Sequence, residues 1–248
     1  MLGNRLLSAL PRRESGALLA ACEAVELQFG EVVYEPGRRI RHVYFPIDCS
    51  ISLMIPLDGT DNREVGLIGS EGLLGMPLVL GVKESALRAL VQGPGSAWRM
   101  SAATFTRELG RSPALSRALH RYLQVRMDQL AQNAACTRFH VLEQRLARWL
   151  LMTQDRARGN EFRVTHEFLA FMLGVRRVGV TKAANALQTR RLIRYRRGEV
   201  TILDRAGMKA VSCSCYQADR DTYDSLLAAA DSEVPTMPSC RTPARGRI

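Results

Sequence analysis

The sequence predicts an α+β protein: an antiparallel β sandwich or barrel, then one long helix, then a winged helix-turn-helix. Three observations lead there. Short apolar, β-branched runs recur between residues 25 and 100, separated by Gly and Pro. The pattern then becomes helical, with one stretch from Pro113 to about Arg138 that holds neither Gly nor Pro after its first turn. Last come two short helical patterns around a glycine, followed by an alternating hairpin pattern. A chain of 248 residues exceeds one average domain, and 46% apolar with 24% charged residues is an ordinary globular balance. The net charge of +11 is unevenly spread. Residues 1–137 carry 15 basic and 13 acidic side chains, residues 138–248 carry 20 and 11. A near-neutral front and a basic back point to a second domain that faces a polyanion, against the plainer reading of a solvated cationic surface.

Taken in order, Leu6 to Glu23 reads as a short helix interrupted at Pro11. Strands are expected at Val25–Phe29, Val32–Tyr34, His42–Phe45, Ile51–Leu57, Val65–Ile68, Leu87–Gln92 and Ala97–Met100, with Asp58-Gly59 as the best hairpin turn. Ser101 can cap a helix that ends near Gly110. In the long helix, Leu115, Leu119, Tyr122, Leu123, Met127, Leu130, Ala131 and Ala134 form one apolar stripe, with Arg117, Arg121, Arg126 and Asp128 largely outside it. Such a stripe packs into a core or pairs with its copy. In the second case Leu115, Leu119, Leu123, Met127 and Leu130 form the seam of a homodimer. A further helix runs from about His140 to Asp155, with Leu142, Leu146, Trp149 and Leu150 inward, and Arg156–Asn160 reads as a polar loop. The expected divisions are a sensor domain over 1–110, a linking helix over 111–137, a winged domain over 138–210, a helical extension over 211–231 and a disordered tail over 232–248.

The most informative region is Val164 to Asp204. Thr165 caps a helix through about Leu173, Gly174 supplies a turn, and a second helix runs from about Arg176 to Thr189 with Val180, Ala183, Ala184 and Leu187 inward. In a helix-turn-helix the second helix enters the major groove and its N-terminal residues reach base edges. Arg176 and Arg177 open that helix, with Thr181 and Lys182 about a turn further on. Arginine offers a planar fork for guanine, Lys182 serves a base or a phosphate, and Thr165 with the helix amides serves a phosphate. Residues 190–203 alternate around Arg196-Arg197-Gly198, a basic hairpin tip suited to the phosphate backbone.

This order of parts resembles the Crp/Fnr family of bacterial transcription regulators over about residues 6–228. The stretches that carry the likeness are GEVVYEPG (30–37), RHVYFP (41–46), VGLIGSEGLLGMP (65–77) and THEFLAFMLGVRRVGVTKAANALQTRRLIRYRRGEVTILD (165–204). The resemblance implies a cyclic-nucleotide-binding-like β-roll of double-stranded, jelly-roll type as sensor. It also implies a dimerisation helix and a DNA-binding domain that reads a palindromic site in double-stranded DNA, with RNA polymerase as a further partner. Aligned on Gly174, Arg177 and Lys182 fall where the family carries basic residues that contact DNA. Val178 falls where many members carry a base-reading glutamate, so a different half-site is expected. A cyclic-nucleotide pocket would draw on Glu71, Gly72, Leu73, Leu74, Lys83, Ser85 and Arg88. Matching Ser85-Ala86 to the family's Arg-Ser-Ala element puts Glu84 in the arginine's place, where it would repel a phosphate. A shift by one puts Lys83 there, of the right sign but a poorer fork. The balance is against cyclic nucleotide, and the residues establish no cofactor.

Six cysteines are too few and too scattered for a disulfide scaffold, and buried thiols are their ordinary role. Cys22 alone lies near the N-terminus, which does not fit an iron–sulfur set of four clustered cysteines. Cys213-Ser214-Cys215 is a C-x-C pair that could take a metal with Cys240 or respond to oxidation, but it is too short a motif to establish a metal site. The four histidines, His140 and His166 among them, are expected on helix surfaces or at caps. No nucleophile elbow, Walker loop or dinucleotide fingerprint is present, so an enzyme is not expected. No segment approaches the ~20 apolar residues of a membrane span, and the N-terminus is no signal peptide, so the protein is expected in the cytoplasm. Two other readings remain open: a small-molecule receptor whose output is not DNA reading, and a redox sensor built on Cys213 and Cys215.

Overall fold

The front of the chain is two antiparallel sheets laid face to face. A computed structural model describes residues 3–57, 61–157 and 159–228. Helices α1 (Arg5–Ser8) and α2 (Arg12–Ala20) break at Pro11 and bury Leu6, Leu7 and Leu18. Seven strands follow: β1 (Glu23–Leu27), β2 (Val32–Tyr34), β3 (His42–Pro46), β4 (Ser50–Leu57), β5 (Asp61–Ile68), β6 (Arg88–Gly93) and β7 (Gly95–Ser101). One sheet has the order β1-β7-β3, the other β2-β6-β4-β5. Strand β5 starts at Asp61 rather than Val65. It is an edge strand that pairs with β4 from Leu57↔Asp61 to Ile51↔Ile68, so pairing extends it beyond its apolar run. The Asp58-Gly59 turn expected between them lies outside the described residues, as do Cys240 and the tail from 232.

Helix α3 (Ala102–Arg111) is capped by Ser101, which accepts from the Thr104 amide at 3.2 Å. Helix α4 (Pro113–Phe139) is capped by Ser112, which accepts from the Leu115 amide at 3.0 Å. The apolar stripe on α4 does not form one continuous seam. Leu115 and Leu119, expected at a dimer seam, are buried in the roll's own core beside Phe45, Ile51, Met100 and Phe105. Tyr122 and Val125 join them, whereas Met127 and Leu130 are 57% and 46% exposed. The stripe drifts round the helix because its spacing does not match the 3.6-residue turn over so many turns. Arg126, expected on the polar side, instead turns inward and donates to the Leu67 carbonyl at 3.2 Å.

The second core is built by α5 (Leu142–Gln154), β8 (Glu161–Arg163), α6 (His166–Leu173), α7 (Arg177–Thr189), β9 (Ile193–Arg196), β10 (Glu199–Ile202) and α8 (Arg205–Val211). Leu146, Leu150, Leu169, Val180, Leu187, Ile193, Val200 and Met208 fill it. Strand β8 was not expected; it completes a sheet of order β8-β10-β9. Helix α9 (Cys215–Ala228) folds back along α4. Arg156, expected in a polar loop, is buried where the domains meet. Its guanidinium donates to Glu71 Oε1 at 2.9 and 2.5 Å. Among the described residues no helix is long and apolar enough to cross a membrane.

Candidate nucleic-acid interface

The turn between α6 and α7 depends on Gly174, whose φ of +66° and ψ of +40° place it in the left-handed region that glycine enters without strain. Thr165 caps α6 by accepting from the Phe168 amide at 3.1 Å. The residue before α7 is Arg176, which makes no side-chain cap; the Gly179 amide donates to the Arg176 carbonyl at 2.9 Å, and no capping side chain covers the Arg177 and Val178 amides ahead of it. Burial of Val180, Ala183, Ala184 and Leu187 fixes how α7 is rotated. Arg176, Arg177, Val178 and Lys182 are thereby exposed together on its outer face.

The wing tip is set by two residues with positive φ, Arg197 at 53° and Gly198 at 79°, between strands in register Arg196↔Glu199. That is a type I′ hairpin, whose twist suits the strands; glycine accepts it freely and arginine at a small cost. Arg196 and Arg197 are both exposed. His166 joins the wing to α7. Its ring lies 4.4 Å from that of Tyr195 on β9, and its Nδ1 is 3.1 Å from the Thr181 hydroxyl on α7. Tyr195 closes the corner by donating to the Val164 carbonyl at 2.6 Å. Burial, with the Arg177 guanidinium nearby, holds the His166 pKa below its ordinary value.

His166 and Tyr195 therefore tie α7, with Arg176, Arg177 and Lys182 exposed, to the wing, with Arg196 and Arg197 exposed, and Thr165 opens α6 next to His166. Thr181 is turned toward His166: its hydroxyl, 3.1 Å from the Arg177 carbonyl, is half-buried. The outer face of the wing sheet, turned away from His166 and Tyr195, carries cations that the motif reading passed over. Arg194 is exposed beside the tip, and Arg163 on β8, with a side chain 83% exposed, stands opposite Glu199. Arg163 could be found only with β8 in hand, a three-residue strand without a turn signal of its own.

Several of the seven residues expected to line a ligand pocket are already engaged or buried. Glu71 is taken by Arg156, and Leu73 and Leu74 are core residues at 0% and 2% exposure. Gly72 lies under Tyr122, whose hydroxyl would be 2.0 Å from an added Cβ. Ser85 closes a local turn with Leu87, Arg88 pairs with Glu35 at 3.0 Å, and Lys83 is exposed. A cavity of about 480 Å³ lies elsewhere, between β5, α4 and α5, and includes Arg63, Glu64, Arg126, Arg145 and Trp149.

A two-sheet roll, a long connecting helix and a winged helix-turn-helix with exposed cations on its second helix and wing define a two-domain helix-turn-helix protein. More particularly, residues 144–211 match the Crp-like helix-turn-helix domain, and the chain as a whole has the Crp/Fnr regulator fold. A protein from Eubacterium rectale assigned to the crp/fnr family is 15% identical at a TM-score of 0.64, over 83% of this chain and 96% of that one. The c-di-GMP responsive global regulator CLP of Xanthomonas campestris is 19% identical at 0.62, over 77% and 99%. FixK2 of Bradyrhizobium japonicum is 12% identical at 0.63, over 77% and 98%. No curated protein matches the chain in sequence.

Proposed function

We propose that the protein is a dimeric transcription regulator that reads double-stranded DNA and catalyses no reaction. The observation that carries this reading is the joining, through His166 and Tyr195, of two exposed cationic surfaces, one on α7 and one on the wing. There the uncapped start of α7 presents Arg176, Arg177 and Lys182, and the wing presents Arg196 and Arg197. An α7 inserted in a major groove brings arginine forks to base edges, while the wing tip and Thr165 lie near phosphates. Pairing of α4 with its copy through Leu123, Met127 and Leu130 gives the two-fold axis, and the two half-sites then lie about 34 Å apart. The β-roll acts as a sensor that does not take cyclic AMP in the usual way, because Glu71 is already neutralised by Arg156 and Glu84 opposes a phosphate.

The test is selection of binding sites from random duplex DNA, with and without cyclic AMP and cyclic GMP, together with a salt titration on bulk DNA. An enriched palindrome that does not depend on nucleotide is expected. No enrichment together with a flat salt dependence would remove the DNA-reading function, since a phosphate-contacting surface releases counterions whatever the sequence.

A further inference from the structure

Cys136 and His140 stand four residues apart at the end of α4, so their side chains share one face of the helix. Cys213 and Cys215 bracket Ser214 where α8 gives way to α9. The return of α9 along α4 brings the two pairs together. Cys136 Sγ lies 3.5 Å from Cys213 Sγ, and Cys215 Sγ lies 3.3 Å from His140 Nδ1. All four donor atoms fall within 4.8 Å of one another, with the three thiols buried and the imidazole half-buried. We propose that Cys136, His140, Cys213 and Cys215 form a structural zinc site, a Cys3His clasp that fastens the α8–α9 junction to the end of α4.

The geometry suits a tetrahedral ion. Zinc bonds of about 2.3 Å to sulfur and about 2.0 Å to nitrogen require tetrahedral edges of roughly 3.8 Å between sulfurs and roughly 3.5 Å from sulfur to nitrogen. The close pairs here already stand at 3.5 and 3.3 Å, so closure needs only small side-chain adjustments. Three thiolates and an imidazole are a soft donor set of the kind that selects zinc, and four protein ligands leave no open position for catalysis. Binding transfers no electrons: Zn²⁺ replaces the three thiol protons, which pass to solvent.

The surroundings are those of a ligand set. Gln132 Nε2 donates to Cys215 Sγ at 2.9 Å, as an outer hydrogen bond to a metal-bound thiolate would. Three thiolates around Zn²⁺ carry one net negative charge. The buried Arg148 guanidinium stands beside Cys136 and Cys213, held by Asp219 Oδ2 at 2.6 Å and Asn133 Oδ1 at 3.2 Å. A polynuclear iron–sulfur core does not fit, because its own iron and sulfide would have to stand between the ligand sulfurs and drive them well apart. The separation of 77 positions from Cys136 to Cys213 hides this set from a search for short metal motifs. His140 closes α4 and Val141 precedes α5, so the ion would sit at the joint between the sensor's helix and the winged domain.

The full chain, purified under reducing conditions without chelator, should hold about one zinc per chain by mass spectrometry. After the metal is stripped, added Co²⁺ should give thiolate charge-transfer bands and the intense red absorption of a tetrahedral site. Cys215→Ser and His140→Ala should abolish both signatures, while a Cys22→Ser/Cys240→Ser double variant should retain them. Sub-stoichiometric zinc without tetrahedral cobalt bands in the folded, reduced wild-type chain would overturn the site. So would a Cys136–Cys213 disulfide in the freshly purified chain, iron with sulfide in place of zinc, or loss of the metal in the double variant. Each readout is independent of DNA binding.

Discussion

Arg177 and the pair Arg196-Arg197 carry the same charge but should answer different experiments. Arg177 is exposed in the first turn of α7, whose rotation is fixed by buried Val180 and Ala184. An arginine held at a base edge contributes direction as well as charge. Arg177→Ala should therefore cost ~1–3 kcal/mol on the preferred site and relax one base position in a repeated selection. An unchanged preference would remove Arg177 from the readout. Arg196 and Arg197 lie on a hairpin tip with no comparable constraint on their heads. Replacing both with alanine should weaken binding to all sequences and flatten the salt dependence by about two phosphate contacts. A loss confined to one sequence would instead place them at bases. Such residues are legible in a sequence because an exposed cation after a glycine turn needs only local geometry. Glu71 is not, because its partner Arg156 lies 85 residues away and reaches it only when the two domains meet.

At the scale of elements, α4 shows where periodicity informs and where it stops. Its extent and its Ser112 cap follow from the sequence, since a run without Gly or Pro that opens on Ser-Pro has few alternatives. Which residues face which partner does not follow, because an apolar residue is suited both to the roll and to a second copy. The structure separates them: Leu115 and Leu119 belong to the core, and Met127 and Leu130 are exposed. Met127→Glu/Leu130→Glu should then leave the fold intact, shift the protein toward monomer in analytical ultracentrifugation and weaken binding to a palindrome far more than to a half-site. A stable dimer in that variant would move the two-fold axis elsewhere. The seven strands of the roll were legible because Gly and Pro punctuate them; β8 was not, because its three residues become a strand only by pairing with β10. The cluster of three thiols and an imidazole was hidden for the same reason, since only the return of α9 along α4 assembles it.

At the scale of the whole molecule, Met54 and Leu90 of the roll pack into the winged domain's core, and beside them lies a polar network. Ser52 Oγ lies 2.7 Å from Glu64 Oε2 and 2.6 Å from Gln92 Oε1, yet a hydroxyl has one proton to give. The second proton comes either from Glu64 in its protonated form or from the Gln92 amide turned end for end, which lets Ser52 donate to Glu64, and the pH profile below separates the two. Across the boundary, the Trp149 indole donates to Glu64 Oε1 at 3.1 Å, and Gln92 Nε2 donates to the Thr153 hydroxyl at 3.3 Å. Burial pushes the Glu64 carboxyl up to about 7 from an ordinary 4.5, against the opposing pull of Ser52, Trp149, Arg156 and Arg148. A carboxyl raised on folding contributes stability that is fully present below its unfolded pKa and lost as pH rises through its folded value. The loss should therefore develop between about pH 4.5 and 7 and persist above. Glu64→Gln keeps an acceptor for Trp149 and cannot ionise. Relative to that variant, the wild-type chain should lose on the order of 1–3 kcal/mol between pH 5 and pH 8 in thermal melts. Parallel pH profiles for the two proteins would mean that Glu64 stays ionised throughout. A divergence in this window would mean that Glu64 is protonated in the folded chain at the acid end, and that its ionisation weakens the contact it makes through Trp149 between the roll and the winged domain.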